Sequence, residues 1–276
     1  MCVPKKGLLV VTGFCNNSVK AIEFDESIKT TAKIVSHFQL SSNPRGISAI
    51  SESRFIVALP SRGQLQIFNI RYVKSTCMIE SESTIEASGK CNGVDYDKES
   101  DSIAVAYDEP PHVEVLDKDG TLIYKIQNDA LFREPFHVRF GLGIATNETF
   151  RCIYVSDRST KIITCIRLED QQIMLKIKDI NVPRDICVLS DNSMLVCAKS
   201  ESCIYHVFAS DGRYSNKSIL DESNELKSPC AMAYSKEDNK LFVSGNIIHY
   251  LGKEDTDLSD YIKVYDLDET ALTQLE

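Results

Sequence analysis

Six times along this chain a short apolar run is followed by a tight polar turn and a second apolar run that ends in Asp or Glu. The first runs open near Leu8, Phe55, Ile103, Ile153, Leu195 and Leu241. That spacing of about 42 to 50 residues marks one supersecondary unit copied along the chain. No stretch shows a 3.6-residue apolar period, and β-branched residues crowd the runs, so each copy reads as strands. In the fourth copy PFHVRFGLG, CIYVSD, KIITCIRLED and QQIMLKI supply four of them, with Asp157 to Thr160 in the central turn.

The second strand of each copy decides the architecture. LLVV, FIVAL, IAVAY, MLVCA and LFV are continuous rather than alternating apolar runs, so both faces of these antiparallel strands need cover. A sandwich leaves one face of each sheet wet, whereas blades stacked about an axis bury both. The pattern therefore predicts an all-β fold, a six-bladed β-propeller of four-stranded antiparallel blades. The blades fall at approximately 1–42, 43–88, 89–134, 135–181, 182–227 and 228–276, and no Pro/Gly/Ser-rich linker divides this single domain.

Strand alternation sorts the turns into two ends. Turns between first and second and between third and fourth strands carry Asp97, Glu99, Asp101, Asp117, Asp119, Asp170 and Asp191 among others, which predicts an acidic end. The opposite end collects Arg45, Arg62, Arg133, Arg158, Lys161, Arg184, Lys199 and Lys227, diluted by carboxylates. The net charge of −9, from 31 Lys and Arg against 40 Asp and Glu, excludes general phosphate attraction over the whole domain but leaves room for a local basic face. Arg45, Arg62, Arg158, Lys161, Arg184 and Lys199 are the candidate partner-binding residues. Arg45 and Arg184 each follow a Pro at the start of an innermost strand, where a planar guanidinium can reach a carboxylate or phosphate. Copy six departs from the others through a long insertion at 246–261, on the same end.

Candidate chemistry is sparse. Asn92, Asp95, His137 and Asp185 lie on or near innermost strands, yet they are too few and too unevenly placed for a calcium ion wanting six or more oxygens. They read as solvated polar groups lining a central channel. His37, His112, His206 and His249 fall on different strands and blades, which speaks against a shared zinc site. Cys152 with Cys165, and Cys197 with Cys203, are placed to face one another across hairpins, most simply as packed thiols. Cys2, Cys91, Cys187 and Cys230 read as small apolar wedges on inner strands. We expect no catalytic residue, no metal and no cofactor. The apolar runs are too short to cross a bilayer, and no signal core follows Lys5 and Lys6, so the expected location is cytoplasmic.

Several copies resemble the NHL-type repeats of tripartite-motif proteins: IYVSDRSTKIITCI, LLVVTGFCNNSVKAIEFD, NPRGISAI, VPRDICVLSDNSMLV and SPCAMAYSKEDNKLFVSG. The resemblance runs through essentially the whole chain. It implies a six-bladed propeller that binds proteins or, in some members, RNA, downstream of the RING, B-boxes and coiled coil of a ubiquitin ligase. MCVP matches the innermost strand of a first repeat and no C-x-x-C pair is present, so no RING, B-box or coiled coil is expected within this chain. The leading expectation is a non-catalytic module that recognises a protein partner, such as the substrate of a ubiquitin ligase. The alternatives are RNA binding through the basic face and a metal-dependent hydrolase of the six-bladed lactonase type.

Overall fold

The computed structural model describes residues 1–24, 32–128, 130–145, 148–251 and 255–267, with backbone alone at 145, 148, 246–251 and 255–260. Blade one is β1 (Cys2–Lys5), β2 (Leu8–Gly13), β3 (Ser18–Phe24) and β4 (Ala32–Gln39). Blade two is β5 (Ile47–Ser51), β6 (Arg54–Leu59), β7 (Gln64–Val73) and β8 (Thr76–Glu86). Blade three is β9 (Cys91–Asp97), β10 (Ser102–Asp108), β11 (Pro111–Asp117) and β12 (Leu122–Ile126). Blade four is β13 (Pro135–Ala145), β14 (Glu148–Asp157), β15 (Ile162–Arg167) and β16 (Ile173–Ile177). Blade five is β17 (Pro183–Val188), β18 (Met194–Ala198), β19 (Cys203–Ser210) and β20 (Arg213–Leu220). Blade six shows β21 (Pro229–Ser235), β22 (Lys240–Leu251) and β23 (Asp255–Asp266); the outer strand expected at ALTQLE lies outside the described residues. Each sheet is an antiparallel meander in sequence order. The fold is a six-bladed β-propeller. Two compact units, Met1–Phe140 and Gly141–Glu276, divide within β13.

The continuous apolar runs do what their pattern requires. Phe55 to Leu59 of β6, Ile103 to Tyr107 of β10 and Met194 to Ala198 of β18 are all buried, with alternate side chains committed to opposite faces. In the first unit Phe55, Val57 and Leu59 pack with Leu8 and Val10 of blade one, while Ile56 and Ala58 pack with Ile103 and Val105 of blade three. In the second unit Met194, Val196 and Ala198 join Ile163 and Cys165 of blade four; Leu195 and Cys197 join Leu241 and Val243 of blade six. Outer strands β4 and β20 are mostly exposed or half-buried.

The recurring Asp at the end of a run has a local cause. Asp117 Oδ1 accepts the N–H groups of Asp119 at 2.9 Å and Thr121 at 2.8 Å, and Asp157 Oδ1 accepts those of Ser159 at 3.0 Å and Thr160 at 2.8 Å. These side chains close the turns themselves. The Thr121 N–H, followed by that of Asp119, holds the Asp117 carboxyl below its ordinary range. Much of the acidic pattern is thus turn chemistry.

Two hairpins run further than expected. The insertion at 246–261 continues the β22–β23 ladder, with pairing from Lys240 opposite Asp266 to Leu251 opposite Asp255. NIIHYL is rich in β-branched and aromatic residues, which suit a strand. In blade four β13 and β14 reach 145 and 148, beyond the PFHVRFGLG and CIYVSD runs that the apolar pattern marks as strands.

Candidate functional site

The turn between β2 and β3 and the approach to β5 build a platform in the first unit. Asn43 Nδ2 donates to Phe14 O at 2.8 Å, and Gln39 Nε2 donates to the carbonyls of Asn16 at 3.1 Å and Asn17 at 2.9 Å. These bonds tie the turn to its own outer strand and to the connection into blade two. Asn17 closes it at φ 50°, the left-handed position that Gly63, Lys161 and Ser202 occupy in the matching turns of blades two, four and five.

Arg45 enters this platform with its backbone fixed on both sides. Its N–H donates to Ala58 O at 3.0 Å, and its carbonyl accepts Thr12 Oγ1 at 3.4 Å. The guanidinium carbon lies 5.4 Å from the Phe14 ring centroid and 5.5 Å from that of Phe136. Phe14 is 49% exposed, an uncommon position for a phenylalanine in a polar turn. Cation–π contacts at this distance attract the guanidinium to the ring faces and reduce its rotamer freedom. Arg45 was legible as a candidate; Phe14 and Phe136 were not. The available signal was a lone aromatic inside GFCNN.

Arg62 is exposed on the short turn Pro60–Arg62 that Gly63 caps. In the second unit, Arg158 and Lys161 lie on the turn after β14, and the Lys161 N–H bonds Asp157 O at 3.0 Å. Ser156 Oγ donates to Arg184 O at 3.2 Å, setting the Arg184 backbone against the start of that turn. Pro183 pairs with Ala198, so Lys199 begins the next turn beside it. The four second-unit candidates therefore occupy neighbouring loops. Arg158 and Arg184 also make interactions within the chain.

The inner-strand polar residues take another role than solvated channel groups. Asn92, Asp95, His137 and Asp185 are at most 8% exposed. Asp95 Oδ1 accepts Ser48 Oγ and Arg139 Nη1, both at 2.7 Å, and Oδ2 accepts the Phe140 N–H at 2.9 Å. One carboxylate thus joins the inner strands of blades two, three and four. Asp185 Oδ2 accepts the Met232 N–H at 2.8 Å, joining blades five and six. Among the described residues, no three His, Cys, Asp or Glu side chains group to hold a metal ion.

Of the two cysteine pairs, Cys152 with Cys165 shares one core cluster as packed thiols, while Cys197 with Cys203 needs correction. Ile204 stands opposite Cys197, and Ala198 opposite Cys203, so the two thiols point to opposite faces and enter different core clusters. Cys152 faces Arg167 while Cys165 faces Tyr154, a diagonal placement on one face. The left-handed residue at the end of each turn adds the offset that a symmetric count missed. All ten cysteines are free thiols, and burial pushes Cys2 to about 12 and Cys91 to about 11, which leaves them protonated and inert at neutral pH.

Comparison with known proteins places the fold but not a family. No family model matches the chain, and no curated protein matches it. A functionally unknown protein from Desulfotomaculum acetoxidans DSM 771 is similar in structure, with a TM-score of 0.58 and 12% identity over 95% of this chain and 100% of that one. A streptogramin B lyase is similar at TM-score 0.60 and 12% identity over 94% of this chain and 80% of that one.

Proposed function

We propose that this propeller is a non-catalytic interaction module whose Arg45 platform receives an acidic segment of a protein partner, in the manner of the substrate-recognition end of a tripartite-motif ubiquitin ligase. The supporting observation is the guanidinium held between Phe14 and Phe136, with Phe14 open to solvent. A planar guanidinium suits a carboxylate through a bidentate bond that lysine cannot reproduce. The ordering cost is met before binding, which favours affinity. Arg62 extends the same face in the first unit. Arg158, Lys161, Arg184 and Lys199 supply a second basic stretch in the other unit.

RNA is the alternative occupant, since an exposed aromatic beside a guanidinium also stacks bases. The lyase and hydrolase readings draw on likeness of fold alone. The inner-strand carboxylates Asp95 and Asp185 are committed to bonds between blades.

The test is capture of partners on the immobilised chain, with and without ribonuclease, followed by affinity measurement on the captured protein. Arg45→Ala should weaken binding about 30-fold, the size of a hot-spot residue worth about 2 kcal/mol. Arg45→Lys should recover only part of it, and Phe14→Ala should lie between. Capture abolished by ribonuclease, with affinity falling steeply as salt rises, would transfer the assignment to RNA. Binding indifferent to both Arg45 and Phe14 would overturn the platform.

A further inference from the structure

β16 is the outermost strand of blade four and pairs with β15 alone. Its other edge borders a groove of about 530 Å³, whose second wall is the β19–β20 hairpin of blade five at Gly212, Arg213 and Tyr214. Both walls lie in the second unit. The hairpin is fixed against blade four at two points. The Asp211 N–H donates to Ile144 O at 3.0 Å. Tyr214 Oη donates to Asp179 Oδ2 at 2.6 Å and accepts the Lys178 N–H at 3.1 Å. The groove is therefore formed before anything enters it, which spares a ligand the cost of ordering it.

The bond to Tyr214 shows that the Lys178 N–H points away from β15. Strand alternation turns the Lys176 N–H and C=O the same way, which makes Lys176 and Thr164 a non-hydrogen-bonded pair. Gly212 covers the edge at one end, where a Cβ built on it would lie 3.7 Å from Met174 O. Tyr214 covers it at the other. Lys176 is left between them as one open rung of the ladder, and an unpaired rung is a template for another strand. We propose that this groove takes an extended acidic segment of a protein partner, which adds to β16 as a short antiparallel strand.

The side chains around the rung select the segment. A residue directly opposite Lys176 shares its face of the sheet. Lys178, two positions on, belongs to that face as well, and Arg213 lines the groove. None of these three cations has an ion-pair partner among the described residues. The carboxylates beside them, Asp179 and Asp211, accept from Tyr214 Oη and from Ser210 Oγ at 3.2 Å. Charge complementarity therefore calls for Asp or Glu opposite Lys176. Leu175 and Ile177 face the other way, into the cluster that Tyr214 of blade five joins. The residues flanking the acidic one share that direction and enter the groove, which continues past Met174 and Leu175 into a small recess beside Phe150. The sequence that fits runs apolar, acidic, apolar.

Titration of the whole chain with a blocked, fluorescent heptapeptide centred on Leu-Asp-Leu tests this, in an Arg45→Ala background that removes the other acceptor of acidic segments. The expected result is saturable binding, with exchange of the Lys176 amide slowed at least about tenfold by the peptide. Lys176→Glu should weaken binding at least about tenfold by setting like charges opposite one another. Methylating the peptide's Asp nitrogen, which leaves the protein untouched, should do the same by removing the donor to Lys176 O. A Leu-Lys-Leu peptide should not bind. No saturable binding, an unchanged Lys176 amide, or equal binding of the methylated peptide would overturn the groove while leaving the Arg45 platform standing. So would a dimer of the chain that Lys176→Glu dissolves, since a second copy would then hold the rung.

Discussion

The same contact between neighbouring blades is built in two ways. Ile47, Val94, Ile186 and Met232 are equivalent, each pairing with a valine of the second strand: Val57, Val105, Val196 and Val243. The residue before each is Gly46 or Gly93 in the first unit and Asp185 or Ala231 in the second. In the first unit Gly46 donates directly to Asn92 O on the next inner strand, at 2.8 Å. A Cβ on Gly46 would lie 2.6 Å from Val94 N, and one on Gly93 would lie 2.8 Å from His137 Cα. In the second unit the Asp185 side chain reaches across to the Met232 N–H instead. A backbone-to-backbone seam demands glycine; a side-chain bridge tolerates a Cβ and demands a carboxylate. One repeat geometry therefore imposes no single residue at its tightest point.

Removing the carboxylates tests the two seams most severely. Asp95→Ala removes an ion-pair partner of Arg139, whose side chain is only 14% exposed, and also releases Ser48 Oγ and the Phe140 N–H. The expected loss is about 3–5 kcal/mol by urea unfolding, as for other broken buried ion pairs. Asp185→Ala leaves the buried Met232 N–H without its bond, worth about 1–3 kcal/mol. Equal losses would mean that the three-way Asp95 clamp carries no more than the single Asp185 bond.

The glycine seam comes next. Gly46→Ala and Gly93→Ala press a methyl group against backbone atoms that cannot rotate away, at about 2–3 kcal/mol each. Ala231→Gly, the reverse change in the second unit, should cost under about 1 kcal/mol, chiefly through chain entropy. Either glycine variant proving as stable as the parent would mean that these inner strands can separate freely.

The sequence announced the strands because covering both faces needs unbroken apolar runs, and a run such as IAVAY is visible without any partner. It also placed Arg45, since Pro before an innermost strand recurs. It could not show the seams, because Asp95 meets Ser48 and Arg139 across 47 and 44 positions, and a polar residue on an inner strand looks the same whether solvated or clamped. Phe14 and Phe136 escaped for a related reason: their shared contact is a cation supplied by a third segment.

One surface ion pair in each unit carries the comparison to its smallest scale. In the first, Arg54 grips Glu82 through two bonds, Nε at 2.9 Å and Nη2 at 2.6 Å; in the second, Lys263 Nζ meets Glu225 Oε2 at 2.8 Å. The hydrogen bond from the cation is the leading reason that both carboxyls sit below their ordinary value of 4.5. A carboxyl lowered in the folded state binds fewer protons there than in the unfolded chain. Its contribution is therefore complete above about pH 4.5 and fades as pH falls through the folded value. Solvent screening keeps that contribution small: Glu82→Gln should cost about 0.5 kcal/mol at pH 7. Glu225, with its side chain 86% exposed, should show less when changed to Gln. Stability curves of Glu82→Gln and the parent measured from pH 7 downward should converge in acid. A gap that stays constant through that range would assign the effect to lost packing rather than to the bidentate charge pair.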